Sequence, residues 1–136
     1  MQKKYWEERK MKYSFEIKRR LPSFNEYTKA CRTNRYAGAE MKKRIELEIW
    51  AYITNKLKGV KIDKPIFITF TWIEENKKRD LDNICFAKKF ILDALQKAEV
   101  IENDNSKHVT GFTDKFEYAD RSKVIVELEE IPDEQK

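Results

Sequence analysis

The stretch Pro65-Ile66-Phe67-Ile68-Thr69-Phe70-Thr71-Trp72-Ile73, followed by Lys77-Lys78-Arg79-Asp80-Leu81-Asp82-Asn83, decides how this chain folds. Ile66, Ile68, Phe70 and Trp72 form one wholly apolar parity, whereas the other mixes Phe67 and Ile73 with Thr69 and Thr71. Side chains alternate across a strand, so this reads as a central strand, covered well on one face and partly on the other. From Asn83 to Ala98, the residues Ile84, Ala87, Ile91, Ala94, Leu95 and Ala98 share one helical face. A strand therefore gives way to a helix at two carboxylates one residue apart, Asp80 and Asp82, just after three bases.

Outward from this junction the pattern is equally readable. Tyr13 to Arg19 alternates Tyr13, Phe15 and Ile17 against Ser14, Glu16 and Lys18, a half-exposed strand. Ser23 with Glu26 three residues on has capping-box spacing, so a short helix starts there. Residues 40–57 carry Met41, Ile45, Ile49, Ile53 and Leu57 every fourth position. Trp50 widens that stripe and Glu46 falls outside it, and Gly59 ends this first long helix. Val109 to Tyr118 holds another strand, interrupted by Gly111, and Ser122 to Glu129 alternates as a final strand. The expectation is an α+β domain spanning 1–136, a small mixed sheet of four to five strands packed by two long helices. Frayed ends are expected near 1–12 and 132–136.

Composition narrows the chemistry. The 136 residues are 39% charged and 40% hydrophobic, enough apolar content for a real core. A net charge of +5 and a pI of about 9.1 favour a polyanionic partner. Cys31, Cys85 and the single His108 are too few for a structural zinc cluster, and the cysteines read as a reduced pair. No Ser or Cys is marked as a nucleophile partner for His108, and three glycines in all leave no glycine-rich phosphate loop. With no apolar run long enough for a bilayer and no signal-peptide core, a soluble, cytoplasmic protein is expected.

Metal-activated water is the hydrolytic chemistry this residue set supplies best. Asp80 and Asp82 point the same way on an extended backbone and nearly opposite ways on a helix, so joint metal work places them on a strand end or loop. An acid pair ahead of a helix is, taken alone, more often an N-cap. Asp104 follows in a polar loop, from which a returning strand could bring it beside the pair. It is otherwise a turn residue within Asn103-Asp104-Asn105-Ser106. Three carboxylates suit magnesium, which keeps waters and phosphate oxygens in its remaining positions. Lys88 lies at the edge of the helix's apolar face, and Lys89 shares a face with Asp93 at i+4, an ordinary surface pair. Either lysine could stabilise charge on a phosphate. Asn25, Lys29 and Arg32 either line a nucleic-acid surface or simply turn a strand-to-helix corner.

The ordered set Arg79-Asp80-Leu81-Asp82-Asn83, Lys89, Leu92-Asp93-Ala94-Leu95 and Asn103-Asp104 resembles the RusA family of Holliday junction resolvases. Leu21-Pro22-Ser23-Phe24-Asn25 is similar to that family's Pro-Ser-x-Asn segment. The resemblance implies a bacterial or phage-encoded homodimer of α+β subunits that cuts four-way DNA junctions with magnesium, or manganese as a substitute. It implies Asp80, Asp82 and Asp104 as metal ligands and Lys89, counted back from Asp93-Ala94-Leu95, as the catalytic lysine. Two departures are visible. The interval from Asp82-Asn83 to Asp93 is about three residues longer than the family pattern, nearly one helical turn, so that counting forward lands on Phe86 and leaves Lys88 beside Lys89 as a candidate. The usual Asp pair is Asn103-Asp104. The expected activity is paired, symmetric nicking of junctions in recombination and repair, with Lys29, Arg32, Lys77, Lys78 and Arg79 positioning the DNA backbone. The competing expectations are junction binding without cleavage, or a magnesium nuclease with another substrate.

Overall fold

A computed structural model describes residues 11–131. The elements run β1 (Lys12–Ile17), α1 (Phe24–Thr33), α2 (Ala37–Lys56), β2 (Ile66–Glu74), α3 (Leu81–Cys85), α4 (Lys88–Lys97), β3 (Val109–Tyr118) and β4 (Lys123–Glu130). The four strands form one open, mixed sheet in the order β1-β4-β2-β3. The central β2 runs antiparallel to β4 and parallel to β3. The fold is α+β, with four strands. The segments 1–10 and 132–136, which cover most of the expected frayed ends, lie outside the described residues, and β1 already begins at Lys12.

The apolar parity of β2 makes the core. Ile66, Ile68, Phe70 and Trp72 are at most 1% exposed, and Val126 and Leu128 of β4 join them in one cluster with Ile45, Ile49 and Ile53 of α2. The long parallel connection from β2 to β3 carries α3 and α4, and α4 contributes Phe90, Ile91, Ala94 and Leu95 to the same core. Burying such side chains is worth roughly 1.5–3 kcal/mol each, which is why the period-2 and period-3.6 patterns govern the architecture.

Three local expectations change. Trp50 is 39% exposed and does not widen the core stripe of α2; the buried residue there is Glu46, at 4%. Glu46 is tolerated because Lys42 and Lys97 bring ammonium groups to 3.8 and 3.3 Å, a pairing that also joins α2 to α4. Gly111 does not interrupt β3. Ile66 pairs with Val109 and Phe67 with Gly111, so Thr110 bulges out while its hydroxyl donates to the Ile66 carbonyl at 3.0 Å. A Cβ on Gly111 would lie 3.1 Å from the Phe67 ring, so glycine allows the close approach. The expected single helix from Asn83 is also two helices, broken at Phe86-Ala87.

That break is made by aromatic packing. Phe86 meets Phe24, Tyr27 and Phe90 at ring-centroid distances of 5.1, 5.5 and 5.6 Å. The break at Phe86-Ala87, where the backbone stays in the right-handed helical region, falls within the longer interval after Asp82, and the Phe86 ring packs against α1.

The start of α1 is held from two sides. Ser23 accepts from the Glu26 N–H at 3.1 Å, while the Ser23 N–H donates to the Glu26 carboxylate at 3.0 Å, completing the capping box. Burial alone would raise the Glu26 pKa, but hydrogen bonds from the Arg20 guanidinium and Ser23 outweigh it and hold the carboxyl below its ordinary value. From the sheet side, Arg79 donates Nε and Nη2 to the two Glu74 oxygens at 2.9 and 2.8 Å. Its Nη1 donates to the Leu21 carbonyl at 3.1 Å. Truncation (Arg79→Ala) would leave the Glu74 carboxylate, 10% exposed, without its bidentate partner. Loss of about 2–3 kcal/mol of unfolding free energy is expected in urea titrations, against about 0–1 kcal/mol for an ordinary surface ion pair.

Candidate active site

Asp80 ends the segment after β2 and occupies the N-cap position of α3 with extended backbone, φ −68° and ψ 150°. Its side chain makes no capping hydrogen bond. Asp80 thus holds the N-cap position, where its charge complements the helix dipole, without the side-chain hydrogen bond of a cap. Asp82 lies inside the first turn of α3, not on a strand end or loop as expected. Because Asp80 is itself non-helical, the two carboxylates are not forced to opposite sides, and both line one cleft of about 550 Å³. Asp104, from the loop before β3, lines the same cleft, as do Asn25, Lys88 and Lys89. All three aspartates are exposed. Among the described residues their carboxylates have no recorded hydrogen-bond or ion-pair partner, although the Asp104 backbone N–H bonds to the Asn103 side chain at 2.7 Å.

One contact locks the two halves of this cleft. The Asn83 side chain accepts from the Asn25 backbone N–H at 2.9 Å, fixing the first turn of α1 beside α3. The Asn25 N–H belongs to the first turn of a helix, where no internal acceptor exists, so Asn83 satisfies a donor that would otherwise need water. This role for Asn83 was not apparent from the residue pattern, which singled out Asn25 alone.

The two lysines differ sharply. Lys88, the first residue of α4, places Nζ 2.7 Å from Asp114 Oδ2, 4.8 Å from the Phe112 ring centroid and 5.5 Å from that of Phe70. The other Asp114 oxygen accepts from the Trp72 indole N–H at 2.9 Å. The ammonium is thus set by one carboxylate and two rings, with 21% of the side chain exposed. Lys89 is exposed and has no recorded partner among the described residues; Asp93, its expected i+4 partner, pairs instead with Lys42 at 3.4 Å. Asp114 went unrecognised in the sequence because an acid in an alternating strand reads as solvent-facing. Its contact with the Trp72 indole joins residues 42 apart in the chain, which no local pattern carries.

Cys85 also lines the cleft. Burial, followed by the Asp114 charge, raises its thiol pKa, with Lys88 opposing, so it offers little thiolate for attack or metal binding. The remaining residues expected to meet nucleic acid are dispersed. Lys29 and Arg32 are exposed on α1, outside the cleft, and Lys77 sits over the Tyr118 ring at 5.3 Å. Lys78 and Arg79 line a neighbouring cleft.

The donor set is all oxygen and suits a hard cation. No three acids, histidines or cysteines among the described residues form a ready-made metal cage. Magnesium does not need one, since it is usually held by one or two carboxylates with waters and substrate phosphates completing its shell. The aspartates therefore fit a cation completed by solvent and phosphate, and do not fit a closed structural site.

Comparison with curated proteins returned no match. A protein-family model described as Endodeoxyribonuclease RusA matches residues 1–129. That span takes in all four helices, all of β1 to β3 and most of β4, together with every residue of the cleft. The chain accordingly belongs to the RusA family of endodeoxyribonucleases, nucleases that act on DNA junctions.

Proposed function

We propose that this endonuclease resolves four-way DNA junctions by paired symmetric nicks as a homodimer, using a divalent cation, magnesium or manganese, held by Asp80, Asp82 and Asp104. The observation that carries this reading is the set of three carboxylates without protein partners in one cleft with two lysines. Unpaired acids repel phosphate, so their grouping beside a DNA-binding surface makes electrostatic sense only with a cation between them. When bound, the cation supplies Lewis-acid polarisation of a phosphate oxygen and an acidified water. The chain's own residues do the rest. Asp80, Asp82 and Asp104 would hold the cation. Lys88, with Lys89 as the other candidate, offsets charge that builds on the non-bridging oxygens. Asn25 lines the cleft on a helix turn fixed by Asn83. A two-fold dimer presents two such clefts to a two-fold substrate, which matches paired nicks.

The test is cleavage of four-way junction, duplex and single-stranded substrates with magnesium, with manganese and with EDTA. Nicking confined to the junction and abolished by EDTA supports the reading. Binding that survives EDTA with no metal-dependent nicking, in an assay calibrated with an active resolvase, would sink it in favour of a binding protein. Equal cleavage of duplex would make the chain a nuclease of broader substrate.

A further inference from the structure

We propose that a second cleft, distinct from the candidate active site, holds the sugar-phosphate backbone of a junction arm. This rests on the branched-DNA reading above and extends it to a site of its own. The cleft measures about 530 Å³, and its ten lining residues are all polar or charged, six of them cationic and two anionic. An excess of cations over anions in the lining suits a polyanion.

The six cations divide into two groups with different tasks. Arg19, Arg20 and Arg79 are tied down. Arg19 reaches Glu48 at 2.7 Å, Arg20 reaches Glu26 at 2.9 Å, and Arg79 grips Glu74. They build the wall and are largely neutralised. Lys18, Lys78 and Arg121 are exposed, and none has a recorded side-chain partner among the described residues. They come from the end of β1, the β2–α3 segment and the β3–β4 turn, so only the fold brings them together. Unpaired like charges converging on one concavity oppose folding through mutual repulsion. A string of phosphates removes that cost and releases counterions.

Continuity with the catalytic cleft indicates which phosphates these are. Arg79 lines the basic cleft and Asp80 the acidic one. The two residues are consecutive, with Cα atoms about 3.8 Å apart. The two clefts thus adjoin in the chain just after β2, and in this proposal backbone held at the candidate scissile position continues into the basic cleft. The arrangement separates a reacting site, rich in acids, from an anchoring site, rich in bases.

The experiment compares the wild-type chain with the combined variant Lys18→Gln, Lys78→Gln, Arg121→Gln. A control variant, Lys43→Gln, Lys56→Gln, Lys58→Gln, removes the same charge from exposed positions elsewhere. Binding to a four-way junction is measured in EDTA over a range of salt, so no cleavage is required. The cleft variant should bind about 10- to 100-fold more weakly near 0.15 M salt, and its slope of log K against log salt should shrink by about 2–3. An unchanged slope, or a loss no greater than the control's, overturns the proposal. Failure of the resolvase reading would appear separately, as a wild-type chain that binds junctions and never cuts them.

Discussion

Asp82→Asn is expected to lower the rate of junction cleavage on the order of 10²–10³-fold while junction binding stays at the wild-type level or tightens. If Asp82 is a ligand of the proposed cation, the magnitude follows from losing one anionic ligand of an ion whose charge stabilisation is worth several kcal/mol, at about 1.4 kcal/mol per tenfold in rate. The sign on binding follows from electrostatics, because an unpartnered carboxylate in the cleft repels the phosphate that must enter it. The substitution keeps shape and polarity at an exposed position in the first turn of α3, where an acid contributes about 0.3–1 kcal/mol through the helix dipole. A urea midpoint close to wild type should therefore accompany the loss of activity. Raising the concentration of magnesium or manganese should restore part of the rate, as expected for weakened cation affinity and not for a misfolded cleft. Wild-type cleavage by this variant at low metal concentration would end the metal-site argument.

The sequence revealed the elements and the acids more readily than the contacts between them. The parity of Ile66 to Trp72 announced the central strand because burial on one face imposes period 2, and Ser23 with Glu26 announced the α1 cap because that device is local. Asp80, Asp82 and Asp104 were legible as an ordered set, although the helical placement of Asp82 was not. What failed was non-local. Glu46 is buried between Lys42 of its own helix and Lys97 of another, and no periodicity on α2 alone could reveal the second. The break at Phe86 was equally hidden. It carries no glycine or proline, and it is stabilised by rings from α1 that sequence distance conceals. Asn83 and Arg79 share this cause: one was read as part of a motif and the other as a DNA contact. Their hydrogen bonds join segments 58 residues apart in the chain.

The break at Phe86 bears directly on the two lysines, because it determines where α4 begins and hence which of them faces the sheet. Lys88→Ala is expected to reduce cleavage by about 10²–10³-fold, the scale for losing one preorganised charge donor, whereas Lys89→Ala should cost less than about 10-fold. Both side chains line the cleft, so proximity does not distinguish them. Preorganisation does. The Lys88 ammonium is fixed by Asp114 at 2.7 Å and by the Phe70 and Phe112 rings, whereas Lys89 would have to be immobilised at the moment of reaction. Such ordering costs up to about 1.5–2 kcal/mol for a lysine. The opposing consideration is that Asp114 neutralises Lys88, which would then be a structural ion pair. Asp114→Asn separates the two accounts. If Asp114 positions a catalytic lysine, the variant should lose kcat by about 10-fold with KM near wild type, because the ammonium remains and only its aim is lost. If the pair is structural, unfolding free energy should fall while kcat per folded molecule stays unchanged, and Lys88→Ala should behave the same way. A large loss in Lys89→Ala with an active Lys88→Ala would instead return the role to the lysine found by counting back from Asp93-Ala94-Leu95. The inserted turn would then have moved Lys88, and not Lys89, away from the phosphate.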